Sequence, residues 1–400
     1  MSKTSWPVKT LGEVCDFVRG VTYDKADARS DMKSGFIPLL RATNITEKGL
    51  LRDDFVFVPN NGVRADQKLV SGDALITIAS GSASVVGRSV LVEDPGEMTF
   101  GAFCGVLRPS PEILPRYLSH FMSSRSVRTA WSEAAQGTNI NNLKRDDILQ
   151  TECLLPPLEE QKRIVALLDA ATARVTELTA CYEQARTHAN NLFESLYDDC
   201  FEQQLADTPL GDIADLNGGY AFKSSDYTES GVFVLRTLNI DSKGDVTRRK
   251  EAFVSKARME EFDRFKLFSG DILFVMVGAT LGKTGVVKEA DLPALLNQNM
   301  WVIRAKKDLI DQRYLYFVFM KYSKTLLSGA AGTARAFVKR DDFRNLFVPV
   351  PTLDEQKRIV VRLDSMKAKT SEMVAAYDAK LVAAKNLRQS VLEAAFAGEL

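Results

Sequence analysis

Histidine is nearly absent, with only His120 and His188 in 400 residues. The five cysteines, Cys15, Cys104, Cys153, Cys181 and Cys200, are widely scattered, and no Cys-x-x-Cys pair occurs. A structural zinc site needs closely spaced Cys or His ligands, so this distribution argues against one and fits free, reduced thiols. An excess of either charge is also missing, since 52 Lys and Arg balance 52 Asp and Glu. A dedicated nucleic-acid binder usually carries a basic surplus, so composition gives DNA binding no support and any basic surface has to come from local placement. No segment approaches the ~20 apolar residues that span a bilayer. The opening Met1-Ser-Lys-Thr-Ser-Trp-Pro7 lacks the apolar core of a signal peptide. The expectation is a soluble, cytoplasmic protein with no membrane partner.

Catalytic signatures are missing too. Gly278-Ala-Thr-Leu-Gly282-Lys283-Thr284 has three residues between its glycines, where a phosphate loop needs four, and no convincing helix follows it. There is no Asn/Asp-Pro-Pro-aromatic tetrapeptide of the methyltransferase kind, and Pro156-Pro157 is flanked by leucines. Two histidines without a triad context make hydrolytic catalysis a weak reading.

What is present is a duplication. Lys144-Arg-Asp-Asp147 recurs as Lys339-Arg-Asp-Asp342, and Pro156-Pro-Leu-Glu-Glu-Gln-Lys-Arg-Ile-Val165 recurs as Pro351-Thr-Leu-Asp-Glu-Gln-Lys-Arg-Ile-Val360. Residues 144–169 set against 339–364 share 14 identities in 26, where unrelated sequence gives roughly 1 or 2. Upstream, Arg41-Ala-Thr-Asn-Ile45 answers Arg236-Thr-Leu-Asn-Ile240, Ser71-Gly-Asp73 answers Ser269-Gly-Asp271, and Leu11-Gly-Glu-Val14 answers Leu210-Gly-Asp-Ile213. The offset drifts between 195 and 199, as small loop insertions would produce.

Each copy has two parts. The first, about 1–155 and 205–350, mixes short β-type runs (Phe36–Leu40, Ala74–Ile78, Ser89–Val92, Val232–Leu235, Ile272–Val277, Met300–Ile303) with Gly, Asn and Asp punctuation and helical stretches at Pro115–Glu133 and Gln312–Ser328. That pattern predicts α+β domains. The second, about 158–203 and 353–397, contains neither Pro nor Gly. Small or apolar residues recur there at Val165, Leu168, Val175, Leu178, Tyr182, Ala185, Ala189, Leu192 and Leu196, and at Val360, Leu363, Met373, Tyr377, Ala384, Leu387 and Val391. Spacings of three and four predict two long helices with a coiled-coil-like seam, each started by proline and an acidic first turn. Rods of roughly 65 Å in one chain most economically pack on each other.

Taken together, the paired Pro-x-Leu-x-Glu-Gln-Lys-Arg-Ile-Val segments, the Lys-Arg-Asp-Asp stretches, the two Leu-Gly starts and the end Val391-Leu-Glu-Ala-Ala-Phe-Ala-Gly-Glu-Leu400 resemble the specificity (S) subunits of type I restriction-modification systems. The resemblance covers essentially the whole chain. It implies an α+β fold with two similar target-recognition domains (1–155 and 205–350) separated by two long antiparallel coiled-coil helices (156–204 and 351–400), a pseudo-twofold internal repeat. It further implies a non-catalytic subunit that reads a bipartite, asymmetric target in double-stranded DNA. Its implied partners are two methyltransferase (M) subunits and the restriction/translocase (R) subunits. S-adenosylmethionine, ATP and Mg would sit on those partners, with no cofactor or metal in this chain. The rival reading is a coiled-coil scaffold with two protein-interaction domains and no DNA contact.

Base reading needs Arg, Lys, Asn, Gln, Ser or Thr on groove-facing loops, and phosphate clamping needs cations or backbone N–H groups. Three paired segments supply them. Ser80, Ser82, Ser84 and Arg88 answer Thr280, Lys283 and Thr284. Thr138, Asn139, Asn141, Lys144 and Arg145 answer Thr333, Arg335, Lys339 and Arg340. Arg41 and Asn44 answer Arg236 and Asn239, which could equally be a strand-end feature. Along the long helices, Lys162, Arg163, Lys357 and Arg358 face outward, either as a solvated surface or as a methyltransferase contact.

Overall fold

The computed structural model describes residues 6–47, 49–136, 140–202, 205–278, 280–330 and 339–400. It divides into two compact units, one made of 1–185 with 377–400 and the other of 186–376.

In the first unit the start of the chain is pinned to the end of the globular part. Val8–Thr10 runs antiparallel to Glu152–Leu154, and Leu11 donates to the Thr151 carbonyl at 2.9 Å. A four-stranded antiparallel sheet then follows in the order Cys15–Arg19, Cys104–Pro109, Ala74–Thr77, Ser89–Leu91. Ala74–Thr77 is buried throughout because its alternating faces enter two cores. Ala74 and Ile76 pack with Leu107, Tyr117 and Trp131, while Leu75 packs with Val106, Leu40 and Phe100. A second sheet sets Phe36–Leu40 between Thr99–Phe100 (parallel) and Val56–Pro59 (antiparallel).

The second unit repeats the plan. Thr208–Pro209 pairs with Phe347–Val348, and Ala214–Gly218, Met300–Ala305, Ile272–Val275 and Thr284–Val286 form the antiparallel sheet. The alternation recurs, with Ile272 and Phe274 in one core and Leu273 and Val275 in the other. The companion sheet runs Tyr227–Thr228, Phe253–Val254, Val232–Leu235, Ala294–Leu296, its last pair parallel.

The sequence motifs shared by both copies are buried polar joints. Asp73 of Ser71-Gly-Asp73 is 0% exposed and takes two hydrogen bonds of 2.8 Å from Arg108, whose guanidinium also donates to the Lys68 carbonyl. Asp271 and Arg304 do the same at 2.7 Å, with Lys266 as the carbonyl. A buried carboxylate is tolerable only with such fork-to-fork satisfaction. Of the cysteines, Cys15, Cys104 and Cys153 are buried free thiols whose pKa is pushed up to about 12 by burial, which keeps them unreactive.

The first long helix is Leu158–Glu202 and the second Leu353–Phe396. Each is fastened to its globular part by the glutamine of Glu-Gln-Lys-Arg. Gln161, fully buried, accepts from the Leu114 N–H at 2.8 Å and donates to the carbonyls of Glu112 and Pro156, both at 2.9 Å. Gln356, equally buried, accepts from Asp311 at 2.7 Å and donates to Leu309 at 3.2 Å and Pro351 at 2.8 Å. Within the first unit the helices run antiparallel. Arg163 donates to the Leu400 carbonyl, Leu168 and Val175 share an apolar cleft with Leu387 and Leu392, and Tyr182 lies against Tyr377 at 6.4 Å.

Three details depart from the sequence reading. Pro115–Glu133 is not one helix but two, Pro115–Met122 and Arg125–Ala134. Copy one has 14 positions from Tyr117 to Trp131 where copy two has 13 from Tyr314 to Leu327, and the extra residue falls at a Ser123-Ser124 break; copy two stays continuous over Gln312–Ala330. Leu192 and Met373, assigned to the seam, are exposed by 45% and 40%, whereas Leu387, though 53% exposed, lines the cleft with Leu168 and Val175. The buried stripe follows Ile164, Leu168, Val175, Ala189, Tyr197 and Phe201 on the first helix, and Ile359, Leu363, Thr370, Ala384, Leu392 and Ala395 on the second. It leaves a regular heptad because each helix faces a globular part over some turns and its partner helix over others. Short strands end earlier than expected at Thr77, Leu91 and Val275.

Replacing Gln161 by Leu strands the Leu114 N–H and two carbonyls in an apolar joint, and is expected to destabilise the chain by about 2–4 kcal/mol. Urea unfolding of the full chain measures this; a loss below about 0.5 kcal/mol, the range of ordinary surface changes, would remove the joint from its assigned role.

Candidate nucleic-acid interface

In the first unit, two candidate segments far apart in sequence become neighbours. Ala79–Ser80 pairs antiparallel with Asn141–Asn142, and the Asn141 amide donates to the carbonyls of Ser80 at 3.4 Å and Gly81 at 3.3 Å. The loop beyond is held by its own serines. Ser82 N–H donates to Ser80 Oγ at 3.2 Å, and Ser82 Oγ lies 3.0 Å from Ser84 Oγ, with both of these side chains exposed. Arg88 closes the loop, its N–H bonded to the Val85 carbonyl at 3.1 Å.

On the other side of the pairing, Leu143 and Ile148 are buried and fix the short helix Arg145–Leu149. Asp147 accepts from the Lys144 N–H at 3.1 Å, which leaves the Lys144 and Arg145 side chains exposed at the helix start. Serine hydroxyls, an asparagine amide and two exposed cations, of which Arg145 also lies 3.8 Å from Asp146, are donors and acceptors of the kind that meet base edges and phosphates. Thr138 and Asn139, from the same segment, lie outside the described residues, as do Thr333 and Arg335 in the second copy.

In the second unit, Thr280 is exposed, and Lys283 sends its ammonium to the Ile240 carbonyl, tying its loop to the next. Thr284 opens the strand Thr284–Val286 and donates to Gly282 at 3.2 Å. Lys339 and Arg340 are exposed at the start of Arg340–Arg344, as their counterparts are.

The third pair calls for a correction. Asn44 and Asn239 are 2% and 0% exposed. Asn44 accepts from the Arg41 N–H at 2.8 Å and donates to Leu51 at 3.2 Å and Asp53 at 2.8 Å; Asn239 accepts from Arg236 at 3.0 Å and donates to Thr247 at 3.1 Å and Arg249 at 2.7 Å. Their amide groups are buried and spent in shaping a loop. Arg41 clasps Asp54 at 2.6 Å and Arg236 clasps the Lys250 carbonyl, which closes the same loop in each copy.

Two residues at this edge escaped the sequence reading. Phe103, 62% exposed, accepts the N–H groups of Ile78 and Ala79 on its carbonyl and so stands beside Ser80. Arg128 donates to the Ser84 carbonyl at 3.3 Å from the helix Arg125–Ala134. Burial and the neighbouring Arg88 charge hold its pKa below the usual guanidinium value. The only signal for Arg128 was its matching basic position in the second copy. Among the described residues, no three His, Cys, Asp or Glu side chains are grouped to hold a metal ion, and no helix is long and apolar enough to cross a membrane. Lys162, Arg163 and Arg358 pair with Glu159, Glu160 and Glu355 one turn back, at 2.7, 2.7 and 3.0 Å.

The sequence matches the family described as Type I restriction modification DNA specificity domain over residues 3–185 and again over 205–381. It is 30% identical to the type I restriction enzyme EcoKI specificity subunit of Escherichia coli (strain K12), across 99% of this chain and 89% of that protein. It is 29% identical to the StySPI specificity subunit of Salmonella potsdam, with the same coverage of 99% and 89%. Among solved structures, a chain studied for complex assembly and conformational transition of the type I R-M system superposes with a TM-score of 0.80 at 23% identity, covering 99% of this chain and 98% of that one. The HsdS subunit from Thermoanaerobacter tengcongensis gives 0.59 at 23% identity, covering 99% and 97%. At these identities the structures show a shared fold.

The two kinds of candidate residue separate experimentally. Asn44→Ala is expected to cost about 1–3 kcal/mol in denaturant unfolding while leaving the DNA affinity of folded protein unchanged. Lys144→Gln with Arg145→Gln is expected to leave the unfolding midpoint alone and to flatten the plot of log affinity against log salt by up to about 2. Anisotropy titrations across a KCl series check this; the reverse pattern would reassign both pairs.

Proposed function

The chain belongs to the type I restriction-modification DNA specificity family and is a specificity subunit of such a system, and from that premise we propose that each copy reads one half of a bipartite, asymmetric target. The observation that carries the proposal is the distribution of likeness between the copies. The buried joints recur: Asp73 with Arg108 and Asp271 with Arg304, Gln161 and Gln356, Asn44 and Asn239. The loop between the third and fourth strands of each main sheet differs, Ser80-Gly-Ser-Ala-Ser84 in one and Gly278-Ala-Thr280 in the other. A common frame with unlike reading edges gives unlike half-targets. The scaffold alternative, with no DNA contact, gives way to the match with a DNA specificity domain.

In this reading the subunit supplies recognition and no chemistry. Two methyltransferase subunits dock against the helices and globular parts and bring S-adenosylmethionine to adenines. The restriction/translocase subunits bring ATP and Mg. Net neutrality, 52 cations against 52 anions, leaves much of the phosphate attraction to those partners. The length of the two long helices sets the number of base pairs between the half-targets.

Exchanging residues 1–150 for the equivalent part of a relative and mapping modified adenines in cells tests the independence of the two readers. One half-target is expected to change with the other retained; alteration of both halves would contradict the proposal.

A further inference from the structure

Arg88 and Arg128 are neighbouring like charges in the first unit, and among the described residues neither forms an ion pair with a carboxylate. Arg128 lies across the loop that Arg88 closes. Its Nη2 donates to the Ser84 carbonyl at 3.3 Å, and its Nη1 is 3.5 Å from where a Cβ on Gly87 would stand. Nη1 is shielded from solvent and has no hydrogen-bond partner among the described residues. Glu47 favours the charge of Arg128 from a distance but ranks behind both burial and Arg88, which oppose it. A half-buried guanidinium with an unspent N–H beside a second cation is a costly arrangement without an anion.

The arrangement has a counterpart that is wired differently. Gly87, at φ 74°, precedes Arg88 and sits on Trp131; Gly282, at φ 84°, precedes Lys283 and sits on Leu327. Three residues before Trp131 and Leu327 stand Arg128 and Lys324. Both copies therefore carry a basic pair at this place. In the second unit, however, Lys283 is bonded to the Ile240 carbonyl and Lys324 pairs with Glu194 at 3.4 Å. Only the first unit's pair keeps donors in reserve.

We infer that Arg88 and Arg128 form a seat for one phosphate of the DNA backbone, clamping the Ser80–Ser84 loop against the duplex. The inference rests on the DNA-reading proposal and assigns it a fixed point. The Arg88 guanidinium, unpaired among the described residues, suits the non-bridging oxygens of a phosphodiester, and Arg128, whose Nη1 is shielded, adds its charge beside it. The helix bearing Arg128 is itself held by the second long helix, since Glu393 accepts from the Ser126 N–H at 2.9 Å and Asn386 from Arg125 at 3.3 Å. A phosphate contact fixes register and carries no sequence information, so the seat adds affinity to any duplex.

The test uses the full chain assembled with its methyltransferase subunits and two labelled duplexes, one bearing the site that the wild-type complex modifies and one scrambled. Arg88→Gln with Arg128→Gln is expected to weaken both duplexes by the same factor and to flatten the salt dependence by about 2, with Arg128→Lys retaining the wild-type slope. Should the double variant fold poorly, Arg88→Gln alone, which removes no side-chain hydrogen bond among the described residues, is expected to flatten it by about 1 with unchanged thermal unfolding. An unchanged slope overturns the seat, as does a loss confined to the target duplex. Equal wild-type affinity for the two duplexes would overturn the underlying reading proposal instead, whatever the variants do.

Discussion

Gln161 and Gln356 are each a single side chain asked to make three hydrogen bonds in a site closed to water. Each joins the first turn of a long helix to the loop ahead of its own domain's helix, the segments Glu112–Leu114 and Leu309–Asp311. An amide has one acceptor and two donors, and here all are used, so the angle between helix and domain cannot change without stranding a polar group. The cost of such stranding, about 1–3 kcal/mol for each group, is large against the marginal stability of a domain. A soft junction would let the reading edge wander. With this one, positions at the helix are transmitted to the loops.

The same economy explains which parts of the copies resemble one another. Buried polar groups have few chemical solutions, so Asp73 with Arg108 reappears as Asp271 with Arg304, and the loop clasp of Asn44 reappears as Asn239. Exposed edges have many. Phe103 in one copy corresponds to Asn299 in the other, each offering its carbonyl to the N–H of the preceding strand's end. The short helices at Lys144 and Lys339 keep their cations outward in both, as a backbone-contacting role independent of sequence would require.

The duplication, the long helices and the α+β character were legible in the sequence because they rest on local signals: repeated motifs, the absence of Pro and Gly, and the period of apolar residues. The candidate edge was legible in part. Ser80 and Asn141 were each picked out because their segments recur in both copies, but their meeting across 61 residues was not foreseen, since no local pattern announces it. Asn44 misled because an asparagine beside an arginine reads equally as a base reader and as a turn clasp, and only burial separates the two. Arg128 was missed for a different reason: an arginine on a helix is ordinarily a solvated charge, and its convergence with Arg88 depends on the helix Arg125–Ala134 lying across a loop 40 residues upstream. The helix seam went wrong at Leu192 and Met373 because the surface each helix faces changes along its length.

In the proposed reading, rigid joints make helix length the measure of the DNA target. That dependence is tested most directly by inserting seven residues, two full turns that keep the apolar stripe in phase, into both long helices at the level where Tyr182 lies against Tyr377. The insertion adds about 10 Å, or roughly three base pairs at 3.4 Å each. Mapping modified adenines in cells carrying the lengthened subunit should show both half-targets intact with a gap wider by that amount. An unchanged gap, with the same two half-targets still read, would contradict it.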